Sequence, residues 1–207
     1  GYRGGNIAYI LQSGDLGYDA NVPHGLIAAA ADHDSSIQWG GRGANMDGTG
    51  YTTGTNIGTG KANTATIVNF FDTIYQSGNP SVTYYNYNWA GLTSGTVDFT
   101  DGTNIYKMDN SNNGDVAAKI CDEYVVEVGG VTYDDWYLPS KEELNKLYVN
   151  KNEVCGFVPD YYWSSSESEF DASTAWFQDF SNGDKLLNNR DDAARVRAVR
   201  AFNNLTI

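Results

Sequence analysis

Apolar positions in this chain come in short runs separated by long polar stretches, a pattern that predicts small strands, few helices and much loop. Asn6-Ile7-Ala8-Tyr9-Ile10-Leu11 reads as a buried strand, ended by the turn residues Ser13-Gly14-Asp15. A second run, Leu26 to Ala31, follows His24-Gly25 and is short enough for another core or edge strand. From Gly40 to Gly60 the residues are almost wholly Gly, Thr, Asn and Ala, with neither helix nor strand period. Such a segment is a surface loop, and at that length loops are functional or wrap a core.

Residues 63–77 carry the first helical pattern: Ile67, Val68, Phe71, Ile74 and Tyr75 share one face, and Gly78 suits the C-terminal cap. The stretch 79–114, rich in Tyr, Asn, Gly and Asp, reads as an insertion with short strands. A second helix is expected from Asp115 to Tyr124, with Val116, Ile120 and Cys121 inward, and then a hairpin about Gly129-Gly130. Trp136-Tyr137-Leu138-Pro139-Ser140 leads into a capping box of Ser140 and Glu143, followed by Leu144, Leu147 and Tyr148 on one face of a short helix. Tyr161-Tyr162-Trp163-Ser164-Ser165-Ser166-Glu167 reads as a strand, Trp176 to Phe180 as another, Ser181-Asn182-Gly183-Asp184 as a turn, and Arg195 to Phe202 as the last strand. The expected core anchors are Trp39, Phe71, Trp136, Leu144, Leu147, Trp163, Trp176, Val196, Val199 and Phe202.

Length and charge narrow the classes. At 207 residues the chain is one domain or one decorated domain, and 14% aromatic content is that of a packed globule. The formal net charge is −13, which argues against a nucleic-acid partner held through phosphates and against an anionic membrane surface. No apolar run approaches the roughly 20 residues needed to span a bilayer, so no direct membrane insertion is expected. The chain opens on Gly1 rather than Met, so a leader or longer N-terminal region is expected upstream. Cys121 and Cys155 stand without metal-ligand spacing, which leaves two buried free thiols or one disulfide.

Gly25-Leu26-Ile27-Ala28-Ala29, Ile37-Gln38-Trp39-Gly40, Trp136-Tyr137-Leu138-Pro139-Ser140 with Glu143-Leu144, Tyr162-Trp163-Ser164-Ser165-Ser166, and Val196-Arg197-Ala198-Val199-Arg200 occur in that order. Taken together they resemble the domain family typified by the C-terminal domain of collagen-like bacterial adhesins, over nearly the whole chain, with 79–113 the least matched. The resemblance implies an α+β, C-type-lectin-like fold: two or three helices, a small twisted, mostly antiparallel sheet, and long loops presenting a ligand face near the C-terminus. It also implies a cell-surface, virion or otherwise extracellular setting.

The same fold serves the variable proteins of diversity-generating retroelements, and residues 164–194 lie where that family places its variable face. Randomised adenine-rich Asn codons yield Ser, Asp, Asn, Tyr, Phe, Leu and Ala but not Glu, Lys, Gln, Met or Trp. Phe177, Asp179, Asp184, Leu186, Leu187, Asn188, Asn189, Asp191, Asp192 and Ala193 fit that set and are the candidate ligand-binding residues. Glu167, Glu169, Gln178 and Lys185 do not fit it and would be fixed or differently encoded. The expected function is a non-enzymatic module binding a protein or glycan on another cell or particle; the alternative is an adhesin domain with one fixed glycan ligand.

Other candidates are weaker. Segment 160–192 holds Asp160, Glu167, Glu169, Asp171, Asp179, Asp184, Asp191 and Asp192 against Lys185 and Arg190, either a solvated acidic surface or a face for a basic or polar partner. Leu186-Leu187 is apolar in a polar setting; on a strand the two point to opposite sides, so at least one is exposed, as in a recognition patch. Tyr84, Tyr85, Tyr87 and Trp89 form either a paratope-like cluster or a mini-core under the insertion. Asp98, Asp101, Asn104, Asp109 and Asp115 offer oxygens of the kind calcium takes, but without EF-hand order, and no cofactor is expected. His24 and His33 are the only histidines, with no nucleophile setting beside them; His33 between Asp32 and Asp34 reads as surface loop. Arg195, Arg197 and Arg200 are expected to pair with internal carboxylates, a sulfated-glycan site being the runner-up.

Overall fold

The computed structural model describes residues 2–42, 53–78, 96–100, 105–109 and 116–203, with side chains described outside 72–109. It is an α+β fold. In chain order the elements are β1 (Gly5–Ile10), β2 (His24–Ala29), β3 (Asp34–Gln38), α1 (Gly60–Gly78), β4 (Thr96–Thr100), β5 (Ile105–Asp109), α2 (Ala117–Asp122), β6 (Val126–Val128), β7 (Val131–Tyr133), α3 (Lys141–Val149), α4 (Lys151–Val154), β8 (Tyr161–Glu167), β9 (Thr174–Asp179), β10 (Lys185–Asn189), β11 (Ala193–Val196) and β12 (Val199–Asn203).

Two sheets organise the described chain. One is three-stranded, β1-β2-β12, antiparallel throughout, and joins the first strand to the last through β2. The other runs β10-β9-β8-β11-β3, with β11 parallel to β8 and the remaining neighbours antiparallel. β4 pairs with β5, and β6 with β7 through the Gly129-Gly130 turn. The core beneath holds Ile37, Trp39, Ile67, Phe70, Phe71, Val116, Trp136, Trp163 and Val196. A second cluster, Leu26, Tyr137, Leu144, Leu147, Tyr162, Phe180 and Val199, fills the space between β2, α3 and β8.

Two expectations are corrected, for the terminal strand and for Trp176. The terminal strand is not one strand but two, in different sheets, because Arg197 turns inward at the corner between them. Its guanidinium is fully buried and donates to Asp32 Oδ1 and Gly156 O at 2.6 Å and to Ala29 O at 3.1 Å. β3 and β10 are strands that their polar sequences conceal; tertiary pairing overrides local pattern in both. Trp176 is not a core anchor: it is half-exposed, with the Lys141 ammonium 3.2 Å from its ring centroid. The other nine expected anchors are buried.

The serine run has a structural purpose. Ser164 Oγ donates to Trp176 O at 2.8 Å, Ser166 Oγ donates to Gly54 O at 2.7 Å, and Ser165 Oγ accepts from Asn63 Nδ2 at 3.1 Å. The three buried hydroxyls are thus all hydrogen-bonded and tie β8 to β9, to α1 and to the loop leading into it.

Candidate functional site

The segment expected to carry a ligand face runs through β8, β9, β10 and β11. The ladder pairs Tyr161 with Asp179, Trp163 with Phe177, and Leu186 with Phe177, so one side of the sheet carries Tyr161, Trp163, Phe177 and Leu186. The opposite side carries Trp176 and Leu187. Apolar surface emerges toward the β10 edge: Leu186 is 42% exposed, Leu187 37% and Tyr161 40%, while Phe170, in the turn before β9, is 84% exposed. Both leucines of the pair face water, because β10 is the last strand of its sheet. The turn feeding β10 is tight. Gly183 has φ of 92°, Gly183 N–H donates to Asp179 O at 2.7 Å, and a Cβ there would collide with the Tyr148 ring.

The ten candidate residues divide. Phe177 does not belong to the face: it is only 9% exposed, stacked on Tyr161 at 4.8 Å and tilted against Trp163 at 5.3 Å. Two strands, β8 and β10, flank it, and this depth removes it from solvent. Asp191 is a tie, its carboxylate 3.2 Å from Arg42 Nη1. Asp179 is half-buried and caps the turn by accepting from Ser181 N–H at 2.7 Å. Asp184, Leu186, Leu187, Asp192 and Ala193 are exposed, and Asn188 and Asn189 are partly so. Sequence reasoning missed Tyr161 and Phe170. Alternation hid the first, since it shares a face with the buried Trp163 and is exposed only because it opens β8; the second, an aromatic between Glu169 and Asp171, carried only its acidic setting as a signal.

Under this face lies a rigid mount. Arg190, at the end of β10, is fully buried, with Nη2 2.8 Å from Glu167 Oε2, Nε donating to Thr174 O at 3.2 Å, and its guanidinium 4.5 Å from the Trp39 ring centroid. Of the acids expected on the surface, Glu167, Asp191 and Asp160 are ion-paired, Asp160 with Arg195 at 2.8 Å. The Arg195 hydrogen bond holds the Asp160 carboxyl below the usual range. Glu169, Asp171, Asp179, Asp184 and Asp192 have no ion-pair partner among the described residues. A pocket of about 150 Å³ lies between Phe170 and Arg190, lined by Glu169 and Asp171 but not by the other three.

The arginine trio is internal. Arg195 contacts Asp160 and, at 3.4 Å, Asp32; Arg197 binds Asp32; Arg200 holds Asp135 at 2.6 and 3.0 Å. His33 lies in the bend between β2 and β3, as expected of a loop residue, but it is not simply on the surface. It is half-buried, edge-on to Tyr124 at 4.1 Å, and its Nδ1 accepts from Ala198 N–H at 3.3 Å. Burial and then the Arg197 charge lower its pKa to about 4. Both cysteines are free; Cys121 is buried and burial pushes its thiol up, whereas Cys155 is exposed. Among the described residues, no group of three or more His, Cys, Asp or Glu could hold a metal ion. Of the candidate calcium oxygens, Asp101, Asn104 and Asp115 lie outside the described residues, and Asp98 and Asp109 sit in β4 and β5, where only backbone is described. Tyr84, Tyr85, Tyr87 and Trp89 also lie outside them. No helix among the described residues is long and apolar enough to cross a membrane.

An α+β domain with a buried mount and an exposed apolar-acidic edge near its C-terminus is thereby defined. The model of the Lcl C-terminal domain family matches residues 30–200, and the chain belongs to that family. No curated protein matches the chain.

Proposed function

We propose that this chain is a non-enzymatic ligand-binding module of C-type-lectin-like type, with a C-terminal face that engages a protein or glycan on another cell or particle. We further propose that a retroelement diversifies that face. The observation that carries the reading is the division of labour within 164–194. Leu186 and Leu187 stand exposed on a strand whose neighbours, Phe177 and Arg190, are buried. Exposed positions can change with little effect on folding, and buried ones cannot. Family membership favours adhesion-type binding. The lectin-like reading draws support from the first and last strands sharing one sheet and from the irregular connections leading to the candidate face.

Deep sequencing of the 3′ end of the gene across its source population tests diversification. The expected pattern is substitution at the codons of Asp184, Leu186, Leu187, Asn188, Asn189, Asp192 and Ala193, with Phe177, Arg190 and Ala194 constant. A uniform gene would remove diversification and leave a domain of fixed specificity, for which a glycan array is the decisive screen.

A further inference from the structure

The five-stranded sheet ends at β3 on one side and at β10 on the other. β3 is bridged to Val116 at Gln38, whereas β10 has no strand beyond it among the described residues. The phase of the β9–β10 ladder fixes which backbone groups look outward. Asp179 N–H donates to Asp184 O at 2.9 Å, and Arg190 N–H donates to Ser173 O at 3.0 Å. Bonded and non-bonded pairs alternate in an antiparallel ladder, so Leu186 and Asn188 also bond inward, and Lys185, Leu187 and Asn189 turn outward. Asn189 O accepts from Asp192 N–H at 3.1 Å. The N–H and C=O of Lys185 and of Leu187 therefore point off the sheet together, two residues apart.

Open edges are ordinarily blunted, above all by lysine. Here Lys185 Nζ is drawn away to Glu142, 2.9 Å distant, and two exposed leucines remain at the edge.

We propose that β10 receives an extended segment of a partner protein as an added strand, and that this segment is apolar with flanking lysine or arginine. Two outward residues offer four backbone hydrogen bonds, while Leu186 and Leu187 give an incoming strand apolar contacts on both of its faces. Glu169, Asp171, Asp179, Asp184 and Asp192 supply the complement for the cationic flanks. A second copy of this chain fits poorly, since it would bring the same carboxylates against the first set. The proposal rests on reading this end of the molecule as a binding face and assigns that face its partner chemistry.

The probe is a short synthetic peptide of alternating valine and threonine with two lysines at each end, compared with the same peptide ending in glutamates. The lysine peptide is expected to bind about tenfold more tightly than the glutamate peptide, and to slow amide exchange at Lys185 and Leu187 by about tenfold or more. Leu187→Pro removes an outward N–H and no ladder bond, so it should fold as before and bind about tenfold more weakly. The exchange measurement on the unaltered chain stands even if that variant fails to fold. No binding, binding without protection of these two amides, or a folded Leu187→Pro chain that binds equally well would each overturn strand addition. Protection of the same amides that rises with protein concentration alone would make the occupant a second copy, and overturn it too. A diversified gene with no peptide binding leaves the face acting through side chains only; a uniform gene with peptide binding leaves strand addition and removes diversification.

Discussion

Phe177 and Leu186 stand opposite each other across β9 and β10, yet one is core and the other faces water. Position in the sheet decides this, since Phe177 has Tyr161 and Trp163 beside it while Leu186 has no strand beyond it among the described residues. Phe177→Ala should therefore cost about 3–4 kcal/mol, read as a lower denaturant midpoint. Leu186→Ser and Leu187→Ser should each change stability by no more than about 0.5 kcal/mol in the same assay. A loss several times larger would show that the leucines are structural and would end their candidacy as ligand contacts. Arg190→Met poses the opposite case, because it strands the buried Glu167 carboxylate without its cation. Its expected cost is about 3–5 kcal/mol, and Glu167→Gln combined with it should recover part of that.

α3 was the element most legible in the sequence, because its signal is local. Ser140 Oγ accepts from Glu143 N–H, Glu143 Oε2 accepts from Ser140 N–H at 2.8 Å, and Leu144 and Leu147 point into the core. The same carboxylate also accepts from Gly58 N–H at 2.9 Å, so the capping box doubles as an anchor for the loop before α1. Burial raises the Glu143 carboxyl, and the amide donors of Ser140, Gly58 and Gly60 pull it back. Ser140→Ala removes the cap and a 2.8 Å hydrogen bond to Asn56 O, for an expected loss of about 1–2 kcal/mol in chemical denaturation. β10 was only partly legible for the converse reason. The Leu186-Leu187 pair could be read on a strand, but the flanking polar residues carry no strand pattern, and pairing with β9 sets the element's extent. The corner at Arg197 was hidden likewise, because it depends on Asp32, distant in sequence, arriving beside the guanidinium. The candidate face was reached through the family resemblance, with alternation adding only the Leu186-Leu187 pair; its buried mount required knowing which strands are neighbours.

On the scale of the whole molecule, the two sheets meet where the chain passes from β11 to β12, and that junction is fastened to the corner between β2 and β3. Asp32 accepts from Arg197 at 2.6 Å and from the Tyr162 hydroxyl at 2.9 Å, and burial and Asp32 together push the Tyr162 pKa up to about 12. His33 adds two further links: its N–H donates to Val196 O at 3.0 Å, and its ring accepts from Ala198 N–H. That second bond needs an unprotonated Nδ1, so the junction favours the neutral ring. With a folded pKa of about 4 against an ordinary 6.5, the unfolded chain takes up this proton first. The associated stability is complete above pH 6.5 and falls as the pH drops toward 4, by about 2 kcal/mol after allowing for the ring's partial contact with water. His33→Asn keeps an acceptor oxygen near the Nδ1 position and cannot titrate. Carboxylates act alike in both chains and cancel in the difference between them. The stability advantage of the unaltered chain over the variant should therefore shrink between pH 7 and pH 4 in urea denaturation, whereas a pH-independent difference would mean that His33 holds the junction by packing on Tyr124 rather than through its lone pair.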